Sequence, residues 1–297
     1  MIEKYSKSRI LFLVFNYTFM ILFALACFMP LWHVLMASVS DPHLLMGSSG
    51  LLLKPLGKLT LEGYELVMHS RDILTGYINT IAYVLAVAVA GSFLTAIAGY
   101  LISRKGFRLA KPLTIFIMFT MMFSGGIIPT YMVVRGLGLL NTRGAVIFPS
   151  LMNAYFIIMM KSSFEQLSGS YEESAKLDGA SPLVILFKIL LPLVKPTIVV
   201  IIMFTVISQW NSWYTASIYL PRRRDLWPLQ LFMREMLIQN DTSKIVTSAG
   251  EANALVNMTG NLVKYCVTIA GTLPILCAYP FAQKYFVTGI TLGGVKE

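Results

Sequence analysis

Six stretches of this chain run without a single Asp, Glu, Lys or Arg: 10–40, 73–103, 112–134, 144–160, 196–221 and 265–283. A bilayer crossing takes about 20 apolar residues, within a range of roughly 17–25. All six runs reach that range, so the pattern predicts an all-α integral membrane protein with six transmembrane helices. We expect one transmembrane domain over 1–297, with crossings near 10–36, 73–102, 112–134, 144–163, 196–220 and 262–283. Between them the pattern leaves a polar loop at 164–195 and a long outer loop at 221–258. Within that loop, LQLFMREMLIQN places Leu229, Phe232, Met233, Met236 and Leu237 at helical spacing. That predicts a short amphipathic helix on the outer surface. The loop at 41–72 is punctuated by Pro and Gly and reads as irregular.

Composition agrees. The 297 residues are 56% hydrophobic and 13% charged, with a mean hydropathy of +0.70. Soluble domains carry about a quarter charged residues. The first run follows a basic segment, MIEKYSKSR, as a signal peptide would. A signal h-region is about 7–15 residues long, and this run is far longer, so it reads as an uncleaved helix. The net charge is +10. The short basic segments MIEKYSKSR and SRKGFRLAK sit tight against crossings, which orients both termini to the cytoplasm. The loop at 164–195 is then also inside. Cys27, Cys266 and Cys277 fall in or beside crossings and show neither metal nor disulfide spacing.

The polar loop has its own grammar. Ser170-Tyr-Glu-Glu173 reads as a capping box, and Glu172 and Glu173 suit a helix N-terminus. Gly179 supplies a stop. Ser181-Pro182 then restarts a helix, which Pro192 and Pro196 can bend into the fifth crossing. Ala175, Gly179 and Ala180 are small enough to let another surface approach. These residues alone fit equally an ordinary solvated loop.

The segment ESAKLDGA at 173–180, followed by Phe187, Pro192 and Pro196, resembles the EAA loop of bacterial ABC importer permeases, with Ser174 in place of the middle alanine. The likeness extends to Ile-Pro-Thr-Tyr at 128–131, to LGLLNT at 137–142 and to the C-terminal PFAQKYFVTGITLGGVKE. These are similar to the second permease subunit of the sugar-importer, maltose-permease-like branch, and LPRRRDLWPLQL is similar to its LplC-like subgroup. The resemblance implies a type I importer bundle in the bacterial cell membrane, importing a carbohydrate. It implies a cytoplasmic coupling helix in which Glu172, Glu173, Ala175, Asp178, Gly179 and Ala180 meet an ATPase. The implied partners are a second homologous permease, two copies of an ATPase subunit holding ATP and Mg, and an extracytoplasmic sugar-binding lipoprotein. This chain itself would hold no cofactor.

No crossing carries a central charge, which disfavours a proton- or sodium-coupled pump. Asn79, Asn153, Tyr155, Gln209, Trp210 and Asn211 are candidates for a sugar pathway, amides for hydroxyls and aromatic faces for rings. The same residues can instead bridge helices or form the interfacial aromatic belt. The outer triplet Arg222-Arg223-Arg224 is either a solvated turn capped by Asp225 or a contact for an acidic partner or acidic oligosaccharide. No P-loop, serine elbow or H-E-x-x-H occurs, and His33, His43 and His69 are scattered. We therefore expect neither catalysis, nor a metal site, nor nucleic-acid binding. A secondary transporter, a channel or an intramembrane enzyme remain the competing classes.

Overall fold

The computed structural model describes residues 6–104, 106–238 and 253–294. The first five residues of the basic N-terminal segment, the 239–252 part of the outer loop and the last three residues lie outside them. Among the described residues there are helices and turns and no strand. Three helices are long and apolar enough to cross a membrane: Lys7–Ser38, Arg71–Ser103 and Gly260–Pro280. Three bent pairs raise the number to up to six: Ala110–Met122 with Ile127–Gly136, Gly144–Ser150 with Ala154–Glu165, and Pro182–Leu193 with Lys195–Trp210.

The apolar runs at 112–134, 144–160 and 196–221 thus fold as interrupted helices rather than straight rods. The first is bent by 118° around Phe123-Ser124-Gly125-Gly126, where Gly126 takes φ +80°. The second bends by 41° at 151–153. The 86° corner between Leu193 and Lys195 lies at Val194. Pro192 and Pro196 flank it, and each lacks the N–H that a continuous helix needs.

The chain divides into two compact units. One comprises 1–70 and 235–272. Its first helix, Lys7–Ser38, exposes apolar side chains along nearly its whole length, and only Ala37 and Ser38 are buried. Such a surface suits lipid. The loop after it is less irregular than its composition implies. Asp41 caps a short helix, Pro42–Gly47, by accepting from the His43 N–H, and Glu62–His69 forms another. Ser40 Oγ accepts from the Leu56 N–H and His33 Nδ1 from the Leu52 N–H, so the intervening backbone is tied down.

The other unit comprises 71–234 and 273–297. The Arg71–Ser103 and Ala154–Glu165 helices approach each other closely. A Cβ at Gly99 would lie 2.7 Å from the Met160 side chain and 3.1 Å from the Lys161 backbone nitrogen. The helix at Leu229–Ile238 forms as its spacing predicts, but it is no surface helix. Leu229, Leu231, Phe232, Met233 and Met236 are all buried, and Gly76 leaves room for Leu229 and Phe232. Apolar area that the sequence offers to an interface is used inside the chain.

The Gly99 contact generates a stability prediction. Gly99→Leu should lower thermal stability in detergent by about 1–3 kcal/mol, the usual cost of overpacking. Gly47→Ala, where a Cβ meets nothing within 4 Å, should leave the melting temperature unchanged. Equal melting of the two variants would contradict this packing.

Candidate functional site: a capped polar helix and a membrane-embedded cavity

The polar loop folds as a helix at Ser170–Leu177, a turn, and a second helix from Pro182. Its start differs from the capping-box expectation. Ser170 is already helical and makes no cap bond to Glu173. Ser168 Oγ, two residues upstream, instead accepts from the Ser170 N–H at 3.4 Å and pairs with the Ser170 hydroxyl at 2.8 Å. The first turn closes one residue early, on the Gly169 carbonyl, which accepts from Glu172 and Glu173. The end follows the expected chemistry. Gly179 takes φ +76°, and its N–H donates to the Lys176 carbonyl at 3.0 Å while that of Ala180 reaches Ala175 at 2.9 Å. This is the paired closure of a Schellman turn. Ser181 Oγ then accepts from the Val184 N–H at 3.5 Å, with Pro182 in the first helical turn.

The helix is fixed from beneath. Glu172 forms ion pairs with Arg104, at the end of the Arg71–Ser103 helix, and with Lys176 at 2.8 Å. Arg104 also reaches the Phe164 carbonyl and lies 4.8 Å from the centre of the Tyr100 ring. Ala175 is buried in a cluster with Tyr100, Met160, Phe164 and Ile185, and Ala180 packs against its edge. Glu172 and Ala175, chosen as partner contacts, are therefore committed within the chain: one is neutralised, the other is a core methyl. Glu173, Asp178 and Gly179 face outward, and a Cβ at Gly179 would meet nothing within 4 Å. Leu177, absent from the sequence-based set, is 90% exposed on the same turn. Its signal was an apolar residue standing alone at the end of an otherwise polar helix.

The pathway candidates scatter. Asn79 is buried, donates to the carbonyls of Asp225 (2.8 Å) and Trp227 (3.1 Å), and accepts from Arg143 at 3.2 Å. It bridges segments and has no donor left for a solute. Asn211 donates to the Ile207 carbonyl and finishes its helix. Tyr155 is exposed and edge-on to Phe156. Trp210 is buried, edge-on to Tyr77, and lines an apolar recess with Ile81, Val84 and Pro274. Gln209 and Asn153 do come together. Both line a cavity of about 390 Å³, whose other polar groups are Thr95, Ser150, Thr205, Ser208, Ser212 and Thr215.

Two of the three arginines at 222–224 are also committed. Arg223 holds Asp225 through two hydrogen bonds, of 2.9 and 2.8 Å. Arg224 pairs with Asp72 at 3.0 Å and lies over the rings of Trp227 and Phe232. The Arg222 side chain is exposed, its own N–H donating to Asn141 Oδ1.

Interrupted apolar spans, a polar cavity and a capped polar helix are consistent with a membrane permease. The comparisons specify which. The chain belongs to the family of binding-protein-dependent transport system inner membrane components, matched over residues 91–292. It is 36% identical to the polygalacturonan/rhamnogalacturonan transport system permease protein YtcP of Bacillus subtilis (strain 168), across 98% of this chain and 99% of that protein. It is 35% identical to protein LplC of the same organism, across 80% and 79%. A crystal structure of a bacterial ABC transporter involved in the import of the acidic polysaccharide alginate contains a chain that superposes with a TM-score of 0.88 at 30% identity. The match covers 95% of this chain and 99% of that one. The protein is a multi-pass membrane permease of the type I ABC importer fold, a transport component and not an enzyme.

The Glu172 anchor makes a pH prediction. Burial pushes its carboxyl up, but hydrogen bonds from Lys176 and Arg104 outweigh that and hold it below the ordinary value of 4.5. A depressed folded-state value stabilises the fold above the unfolded value, and that contribution is lost as pH falls through the folded one. Hydrogen-exchange protection of 170–177 should therefore hold at neutral pH and decline below pH 4.5. Arg104→Ala should lower it already at neutral pH. Protection that is independent of both would contradict the anchor.

Proposed function

We propose that this chain is one of two homologous permease subunits of an importer for oligosaccharides. It works with two copies of an ATPase subunit, where ATP and Mg bind, and with an extracytoplasmic sugar-binding lipoprotein. Its N- and C-termini lie in the cytoplasm. The observation that carries the coupling role is the helix Ser170–Leu177, anchored on one face by Glu172 and Ala175 and bare on the other. A device that passes motion from a soluble engine to a membrane span must be stiff at both ends. The Schellman turn at Gly179 and the Ser181-Pro182 restart connect it without slack to the span beyond Val194. Exposed Leu177 offers an apolar contact, and Glu173 and Asp178 offer charge-assisted hydrogen bonds to a basic groove rim.

In the working cycle, the loaded binding protein docks on the outer loops and ATP closes the engine. The 170–177 helix moves with it, and the pathway opens alternately to the two sides. The substrate reading is a carbohydrate, in keeping with the polygalacturonan/rhamnogalacturonan and alginate systems to which the chain is similar. An acidic oligosaccharide is favoured by exposed Arg135 and Arg222 on the loops assigned to the outer side.

The coupling role has a direct test. Gly179→Asp places a side chain in open space on the docking face, at a φ that non-glycine residues rarely adopt. The variant should reach the membrane at normal levels, while uptake falls to background and the ATPase no longer co-purifies. Normal uptake would refute the coupling role. For substrate class, uptake of labelled tetragalacturonate should exceed that of maltotetraose, and the reverse order would remove the acidic reading.

A further inference from the structure

The fifth apolar run is entered around a corner. The uncharged residues 196–221 supply the crossing, and the helix Pro182–Leu193 meets Lys195–Trp210 at 86°. Membrane-spanning helices tilt by about 20° from the bilayer normal. A leg turned by 86° from such a span runs close to the membrane plane, at the depth where the chain enters hydrocarbon. Lys195, the last charged residue before the run, marks that depth.

The inner side of this leg is fixed. Ile185, Leu186, Leu190 and Val194 are buried in the cluster that holds Tyr100, Met160 and Phe164. The Phe187 ring stacks on Phe93 of the Arg71–Ser103 helix, with 5.5 Å between centres and 9° between planes. The other side is bare, and its residues are of two kinds. Leu183, Val184 and Leu193 are exposed apolar side chains, and Lys188 and Lys195 are exposed cations. A helix in the membrane plane that turns apolar and basic side chains outward is built for the headgroup region of a bilayer. A lysine stem lies along apolar surface there while its ammonium reaches the phosphates.

Charge is also sorted along the polar loop. The cations around the 170–177 helix have carboxylates: Arg104 and Lys176 pair with Glu172, and Lys161 pairs with Glu165. Lys188 and Lys195 have neither an ion pair nor a side-chain hydrogen bond among the described residues. The sequence explains the difference. No Asp or Glu occurs from Gly179 to Arg224. Glu172, Glu173 and Asp178 all stand before the turn, and the leg after it carries lysines alone. Solvent would serve these lysines on a water-facing loop, but they stand among exposed leucines at a membrane boundary.

We propose that the exposed face of Pro182–Leu193, together with Lys195, is a docking surface for anionic phospholipid headgroups, of which phosphatidylglycerol is a simple example. Leu183, Val184 and Leu193 lie against the acyl boundary, and Lys188 and Lys195 bind headgroup phosphates. The lipid braces from outside the corner at Val194 that the buried cluster braces from within. This surface is separate from the bare turn at Leu177. The inference rests neither on the substrate nor on which side of the membrane the termini lie.

The test uses the importer purified with its partner chains from native membranes and placed in phosphatidylcholine nanodiscs. Each nanodisc carries a trace of photoactivatable phosphatidylglycerol or of photoactivatable phosphatidylcholine with the same diazirine-bearing chain. Adducts on residues 182–195 are mapped by mass spectrometry. Each lysine near an anionic surface strengthens binding about fivefold, so the pair should favour phosphatidylglycerol about tenfold once salt screening is counted. The preference should shrink at high salt and resist free glycerol phosphate, which separates a lipid from a soluble phosphate. Lys188→Gln with Lys195→Gln should abolish it, and Lys188→Arg with Lys195→Arg should keep it. Lys58→Gln, which removes an exposed charge from another loop, should leave it unchanged. Equal labelling by the two lipids, or a preference that survives the glutamine pair, overturns the proposal. So does absence of labelling by either lipid, the result if the ATPase or the second permease covers this face. Should the glutamine pair fail to assemble, the wild-type importer still decides. A preference unaffected by high salt, or competed away by free glycerol phosphate, overturns the docking surface.

Discussion

Hydrocarbon offers no hydrogen bonds, so every interruption of a membrane helix must be covered by the protein itself or opened to water inside it. That constraint organises this chain. The corner at Val194 lies within a cluster of packed side chains. Asn79 and Tyr83 reach from one long span to the carbonyls of Asp225, Leu226 and Trp227, which have left regular helix. Thr80 Oγ1 accepts from the Leu229 N–H in the same way.

The polar helix outside the membrane follows the same economy of contacts. Its inner face is used up: Ala175 in the core, Glu172 between Arg104 and Lys176. Its outer face is left unsatisfied, with Leu177 bare and Gly179 in open space. A helix of eight residues is too short to persist alone, so its rigidity comes from the anchor and the two capped ends. A fixed inner face and a bare outer face are what the proposed transmission element requires.

Much of this was legible in the sequence. Uncharged runs announce spans because hydrocarbon tolerates little else, and Gly179 and Ser181-Pro182 announce a stop and a start because few residues satisfy those backbone positions. What stayed hidden depends on neighbours distant in the chain. Ser170 fits a capping box by spacing, but Ser168 was nearer the free N–H. Asn79 has the chemistry of a sugar ligand, and only the fold shows that a loop some 146 residues away has taken it. Likewise the arginine triplet offers Asp225 as a nearby partner, and only the fold brings Asp72 to Arg224.

The central claim is that the exposed turn at Leu177 seats in the ATPase that drives transport. The most direct measurement is site-specific photocrosslinking from that position in native membranes. A benzophenone amino acid replaces Leu177, and the adduct is identified by mass spectrometry. The account predicts an adduct with a nucleotide-binding subunit of an ABC transporter, and none from the same probe at Ala175, which faces the core. Adducts with lipid alone, or none with any ATPase from a chain that still supports uptake, would contradict it.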